Sequence, residues 1–354
     1  MNVRELLEAF DRWRASGEDL VLATVYATEG STYSKAGAQM LIDGAGHFQG
    51  MLSGGCLEGD LAERAAATLD SGAPQAVSYD LGNSDEELWG LGVGCDGLMR
   101  IFLQPLAAAS DYAPFAAMAD TWRGDRPGVA ATVIESAHAA LPPGSALVVD
   151  GDGRADGSVP RAYRAAFDEG CAATRRTRTS GLAEQVIDGT RVAVLYACLL
   201  PPPRILLLGG GLDVRPVVRL ARALGWRVTV QDHRPAYIEK GGFDEADLVL
   251  NLAADDVAGT LELDRYAAAV VMSHHLQTDR RYLAQLADSH VPYIGLLGPV
   301  ARRRRLLADL GAAAERLAGR VHGPAGLDLG GRGPAAIALS IVSELHRHLH
   351  KDAG

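Results

Sequence analysis

The stretch RILLLGGGLDVRPVVRLARALGWRVTVQD, residues 204–232, constrains the fold more than any other part of this chain. An apolar run of strand length enters a glycine turn at Gly209 and Gly211. A helix follows that Gly225 can end, and a second apolar strand closes on Asp232, 23 residues after Gly209. Strand, tight turn, helix and acidic strand end are the setting in which a dinucleotide is held. The glycines admit a phosphate to the backbone, and the carboxylate meets ribose hydroxyls. Val214 stands where a third glycine would complete that fingerprint. Further on, ADLVLN, AAAVVMS and PYIGLL are apolar runs of strand length separated by helical stretches, and Pro334 opens a last helix with Ile337, Ile341 and Leu345 on one face. Near-continuous apolar strands between helices indicate a Rossmann-like, doubly wound parallel sheet over residues 201–354. Whether it holds NAD, another nucleotide or nothing stays open at this point, because folds outlive their ligands.

Ahead of it, the chain changes character at Pro201–Pro203, which can continue neither a ladder nor a helix. Residues 1–105 read as an α+β domain with glycine-rich loops: DLVLATVYAT, AQMLID, QAVSYD and LMRIFLQP are strands, and MNVRELLEAFDRWRAS is a capped helix starting at Asn2. Residues 106–200 read as a connecting, strand-rich region in which the basic ATRRTRTSG is a surface loop.

The chemistry concentrates in the loops of the first domain. In LSGGCLEGDL, Cys56 follows Gly54 and Gly55 and precedes an amphipathic segment that Gly72 can close. A helix N-terminus offers unpaired N–H groups and a partial positive charge, which favour a bound phosphate or a thiolate. Cys95 lies in a similar loop, WGLGVGCDG, beside Gly94. Two thiols in two glycine loops point to one pocket; the competing reading is two small residues filling tight turns. The turn EGSTYSKAG adds Ser31, Thr32 and Lys35, which suit a polar, anionic ligand or equally a hydrophilic hairpin. In the second domain His274 and His275 follow a strand at its carboxyl end, where such sheets place ligands, although a polar loop explains them as well. The run Arg302–Arg305 reads as a solvated helix face.

Composition narrows the partners. A formal charge of −10 over 354 residues argues against nucleic acid. The apolar run VAVLYACLL is far short of the ~20 residues of a membrane span. The N-terminus lacks the apolar core of a signal peptide, so the expected location is cytoplasmic. Four cysteines without a C-x-x-C pair fit neither a zinc site nor a disulfide framework.

Taken together, EGSTYSKAGAQMLID, GMLSGGCLEGDL and WGLGVGCDG, followed by LLLGGGLDVRPVVRLARALGWRVTVQDHRP, VVMSHHLQTD, YIGLLGPVARRRRLL and HGPAGLDLGGRGPAAIALSIVSEL, resemble the xanthine dehydrogenase accessory factor family, XdhC/CoxI. Tyr33, Ser34 and Lys35 stand where that family usually carries an arginine or proline, and Leu212 where a histidine is common. The resemblance implies a chaperone that binds molybdenum cofactor, as molybdopterin or its cytidine dinucleotide. It further implies support for the cofactor's sulfuration by a cysteine desulfurase, delivery to a xanthine dehydrogenase-type molybdoenzyme, and a homodimeric state. On that reading Cys56, then Cys95, is the metal ligand or sulfur relay, and Ser31, Thr32, Lys35, Ser53, Gly54, Gly55 and Gly94 surround the cofactor. Gly209, Gly211, Asp232 and His274 line the nucleotide half. The alternative from another class is an NAD(P)-dependent oxidoreductase with Asp232 on the ribose and His274 or His275 as proton donor.

Overall fold

The computed structural model describes residues 2–80 and 97–350, which fall into two compact units, Met1–Pro201 and Pro202–Gly354. The first unit opens with α1 (Val3–Ser16), whose N-cap Asn2 accepts from the Glu5 N–H and whose end is turned by Gly17 at φ 75°. Next come β1 (Leu20–Gly30), β2 (Gln39–Asp43), β3 (Phe48–Gln49), α2 (Glu58–Ser71), β4 (Gln75–Asp80) and β5 (Gly97–Leu106). These strands form an antiparallel sheet in the order β3-β2-β1-β5-β4. Residues 106–200 supply α3 (Phe115–Arg123), β6 (Gly128–Ser136), β7 (Ala146–Val149), β8 (Ala155–Asp156), α4 (Asp168–Thr177), β9 (Gly181–Ile187) and β10 (Thr190–Leu199). Their strands make a second antiparallel sheet, ordered β8-β7-β6-β10-β9.

The segment read as a connector thus has a sheet of its own, and that sheet shares a core with the first. Alternation explains how. Along β1, Leu20 and Leu22 join α1, α3 and the second sheet, whereas Val21, Ala23 and Val25 face the cluster under α2. Along β10, Leu195, Ala197 and Leu199 enter that shared core, and Val192, Val194 and Tyr196 pack with Cys171 of α4. Strands buried on both faces read as unbroken apolar runs, which obscures their period of two. The expected loop ATRRTRTSG is instead the last turns of α4 plus a short link; Arg178, at φ 55°, ends the helix before β9 begins.

The second unit follows the expectation. It runs β11 (Arg204–Leu208), α5 (Val214–Ala223), β12 (Arg227–Gln231), α6 (Pro235–Glu239), β13 (Leu248–Leu250), α7 (Val257–Thr260), β14 (Ala268–Val271), α8 (Leu276–Ala287), β15 (Ile294–Leu296), α9 (Val300–Leu310), α10 (Ala313–Arg316), β16 (Val321–His322) and α11 (Pro334–Leu349). All pairings are parallel, in the order β13-β12-β11-β14-β15-β16. Ile205 and Leu207 pack under α5 and α11, and Leu206 and Leu208 under α8 on the other face. The strand order reverses between β11 and β14, so a crevice opens at their carboxyl ends.

Within the shared core of the first unit, Phe10 of α1 is fully buried and meets Tyr112 and Phe115 edge-on, at ring separations of 5.5 and 4.8 Å. Phe10→Ala should therefore cost about 3–5 kcal/mol. The measurement is the urea midpoint of the first unit's transition followed by near-ultraviolet circular dichroism. An unchanged midpoint would show that α1 does not close this core.

Candidate functional site

Between β3 and α2 the backbone turns through Gly54 (φ 83°) and Gly55 (φ 110°), conformations that need the absent side chain. What fixes this flexible stretch is Glu58, the first residue of α2, which is only 2% exposed. Its Oε1 accepts from the Leu52 and Ser53 amides, each at 2.9 Å. Its Oε2 accepts from the Gly55 amide at 3.0 Å, the Leu57 amide at 3.2 Å and the Ser53 hydroxyl at 2.5 Å. Ser53 Oγ accepts in turn from the Leu57 amide at 2.8 Å. Burial alone would push the Glu58 carboxyl up. The hydrogen bonds from Ser53 and Leu52 outweigh it and hold the carboxyl below its ordinary value. Cys56, half-buried, sits between the two peptides pinned to one oxygen.

The turn after β1 lies against this loop. A Cβ on Gly54 would come within 3.3 Å of the Tyr33 ring, and Ser34 Oγ donates to the Met51 carbonyl at 3.4 Å. Thr32 Oγ1 donates to the Ser34 carbonyl at 2.8 Å and accepts from Lys35 Nζ at 3.4 Å. At the start of β5, a Cβ on Gly97 would lie 2.4 Å from the Ser31 carbonyl oxygen and 2.7 Å from Thr32 Cγ2. The structure therefore brings the Ser31–Lys35 turn together with Ser53, Gly54, Gly55 and Cys56. Cys95 and Gly94 lie outside the described residues.

The surroundings of Glu58 and of Cys198 are both hidden in the sequence. Glu58 is visible there only as an acidic residue at a helix start, with nothing to say that it folds back under the loop. Cys198 reads as one more residue of an apolar strand. It is half-buried on β10: its amide donates to Ser180 Oγ at 2.9 Å, and that oxygen would stand 2.4 Å from a Cβ on Gly37. Burial pushes the Cys198 thiol up against the pull of Arg178 and Arg175. Among the described residues no three His, Cys, Asp or Glu side chains gather in a way that could hold a metal ion. Among the described residues Cys56 is the thiol carried by that glycine loop.

In the second unit, Gly209, Gly211, Asp232 and His274 do converge at the crevice. Gly209 (φ 146°) packs so tightly on β14 that a Cβ would lie 2.5 Å from the Met272 carbonyl oxygen. Asp232, expected as a free ribose acceptor, is fully buried and saturated. Its Oδ2 takes the Gly210 amide and Arg234 Nη2, both at 2.7 Å. Its Oδ1 takes the Arg234 amide at 2.8 Å and Nε at 2.9 Å. Burial again favours the neutral acid, and the Arg234 contacts override it to hold the carboxyl low. The Arg234 guanidinium lies 3.6 Å from the Tyr237 ring centre. His274, held at φ 58°, bonds Asp213 Oδ2 through Nε2 at 2.8 Å, and its Cδ2 would stand 3.8 Å from a Cβ on Gly211. His275 caps α8 by accepting from the Thr278 amide.

The arginine run divides. Arg304 and Arg305 are exposed as expected, but Arg302 turns inward and bonds buried Asp279 at 2.6 Å. A pH dependence follows from the depressed Asp232 carboxyl. Its stabilisation is present above the ordinary carboxylate range and fades as pH falls through the lowered value. Arg234→Ala leaves Asp232 buried without its partner, at a cost of about 3 kcal/mol at pH 7. The gap to wild type should narrow in acid. Urea midpoints of the second unit at pH 7 and below about pH 3 check it, and a gap that stays constant would refute it.

Two family models match: the XdhC and CoxI family over residues 13–80, and the XdhC Rossmann domain over residues 205–345. A protein of Bacillus subtilis named as a probable subunit of xanthine dehydrogenase is 31% identical over 93% of this chain and 92% of its own length. The molybdenum cofactor insertion chaperone PaoD of Escherichia coli is 22% identical over 93% of this chain and 83% of its own. A crystal structure of a xanthine dehydrogenase from Bacillus halodurans superposes with a TM-score of 0.79 at 27% identity, over 99% of this chain and 96% of that one. Ordered motifs, two matching models and a relative aligned almost end to end agree: the chain belongs to the XdhC and CoxI family.

Proposed function

We propose that this protein is a non-enzymatic maturation factor that holds molybdenum cofactor through the Cys56 thiolate and passes it to a xanthine dehydrogenase-type molybdoenzyme. The observation that carries this is the half-buried thiol on a glycine loop locked from beneath by Glu58. The names of the relatives support it, one a probable component of xanthine dehydrogenase and one a molybdenum cofactor insertion chaperone.

The donor set fits the metal end of such a cofactor, since a soft thiolate suits a thiophilic metal. Bound there, the cofactor would supply a dithiolene-held molybdenum whose oxo ligand a cysteine desulfurase can exchange for sulfur. Cys56 offers the sulfur contact, with Cys95 as a second thiol for relay. Ser31 and Lys35 would offer a hydroxyl and a cation to the pterin phosphate, whether of molybdopterin or its cytidine dinucleotide, with Thr32 holding the turn through its bonds to Ser34 and Lys35. Handing over a cofactor of this size from a shared cleft also favours a homodimer, which light scattering would show.

The oxidoreductase reading gains nothing from the crevice. Both oxygens of Asp232 are spoken for by Gly210 and Arg234, so a ribose would first have to displace an ion pair. Tight NAD binding coupled to substrate-dependent hydride transfer would revive it.

The deciding experiment is anaerobic. Purified protein is mixed with extracted cofactor, desalted, and assayed for molybdenum and pterin, alongside Cys56→Ala. The expected result is near-stoichiometric retention by the wild type and a loss of about tenfold or more in the variant, the scale of removing one metal-ligand contact. Equal retention in both would remove Cys56 from the site, and retention in neither would sink the carrier reading.

A further inference from the structure

We infer that Glu58 is the positioning residue for Cys56, and that by filling the amide nest before α2 it closes those four amides to phosphate. The inference rests on the reading of Cys56 as the contact thiol, and refines which groups of the loop take part.

A glycine turn entering a helix is ordinarily an anion site, because its N–H groups converge and the helix dipole adds to them. Here the converging groups are the amides of Leu52, Ser53, Gly55 and Leu57, and all four end on the Glu58 carboxylate. The nest already holds its anion, and that anion belongs to the chain. A phosphate seeking the same amides would have to expel a carboxylate that is 2% exposed and leave it without partners.

The geometry also bears directly on the cysteine. The amides on either side of Cys56, those of Gly55 and Leu57, bind the same oxygen, Oε2. The Ser53 hydroxyl completes a ring by donating to Oε2 and accepting from Leu57. Two positive-φ glycines would otherwise leave Cys56 on a loose tether. With the Cys56–Leu57 peptide and the Gly55 N–H held to one carboxylate, the backbone that carries Cys56 is restrained on both sides.

Glu58→Gln preserves size but puts an amide NH2 where an acceptor oxygen faced two N–H groups and a hydroxyl. The readout is the rate at which iodoacetamide alkylates Cys56 in the native protein at one fixed pH, followed by peptide mass spectrometry. Cys198, also half-buried in the first unit, is the internal control.

Glu58→Gln should speed Cys56 alkylation by roughly five-fold or more, the scale of one or more lost hydrogen bonds, without changing Cys198. Ser53→Ala should give a smaller change in the same direction, and it decides the matter if Glu58→Gln does not fold. In the wild type, inorganic phosphate replacing chloride at equal ionic strength should leave the Cys56 rate unchanged. Unaltered Cys56 reactivity, or parallel acceleration of Cys198, would overturn the positioning role; slowing of the wild-type rate by phosphate would overturn the closed nest. The molybdenum-retention assay stays separate: if Cys56→Ala retains cofactor, Cys56 loses its role as the contact thiol while the alkylation result still decides whether Glu58 positions it.

Discussion

In each unit a buried carboxylate binds the N–H groups of a glycine loop that leads into a helix. Glu58 does so for the turn before α2, and Asp232 does so more sparingly for Gly210 before α5. Glycine loops have high conformational entropy and unsatisfied amides, two liabilities that an internal carboxylate answers together. Each acid is ionised despite burial because its hydrogen bonds outweigh desolvation. Remove either carboxylate and the loop loses both its shape and its counter-charge.

Around these loops the cores are closely packed. The first unit packs two antiparallel sheets and their helices around a shared core, in which Phe10, Phe115 and Trp122 meet edge-on. In the second unit the parallel sheet is covered on both faces, and its crevice is lined by paired groups: Asp232 with Arg234, Asp213 with His274, Asp279 with Arg302. These pairings leave the glycine loop of the second unit shielded by its own side chains, unlike an open phosphate cradle.

Much of this is legible in the residues. RILLLGGG through VTVQD announces its strand, turn, helix and strand because parallel strands in such sheets are short, apolar and punctuated by glycine. The helix following Cys56 is readable through Gly72, which turns the chain at φ 63°. Residues 106–200 are harder: strands buried on both faces lose their alternation, and α3, FAAMADTWR, is too short for a clear helical period. The two deciding carboxylates are hidden for another reason. A sequence shows an acid near a loop, but whether it faces solvent, a ribose or its own backbone depends on tertiary placement. Asp232 looks free in the sequence because the partner two residues away, Arg234, reads as an ordinary surface arginine.

The clamp on Gly55 and Leu57 also sets a timescale. With the Gly55 N–H before Cys56 and the Leu57 N–H after it held to one oxygen, rotation about the Cα–Cβ bond is the readiest freedom of the sulfur. A side-chain rotation takes picoseconds to nanoseconds, whereas opening a loop takes far longer. What approaches this loop would therefore meet a thiol that turns quickly on a backbone that moves slowly.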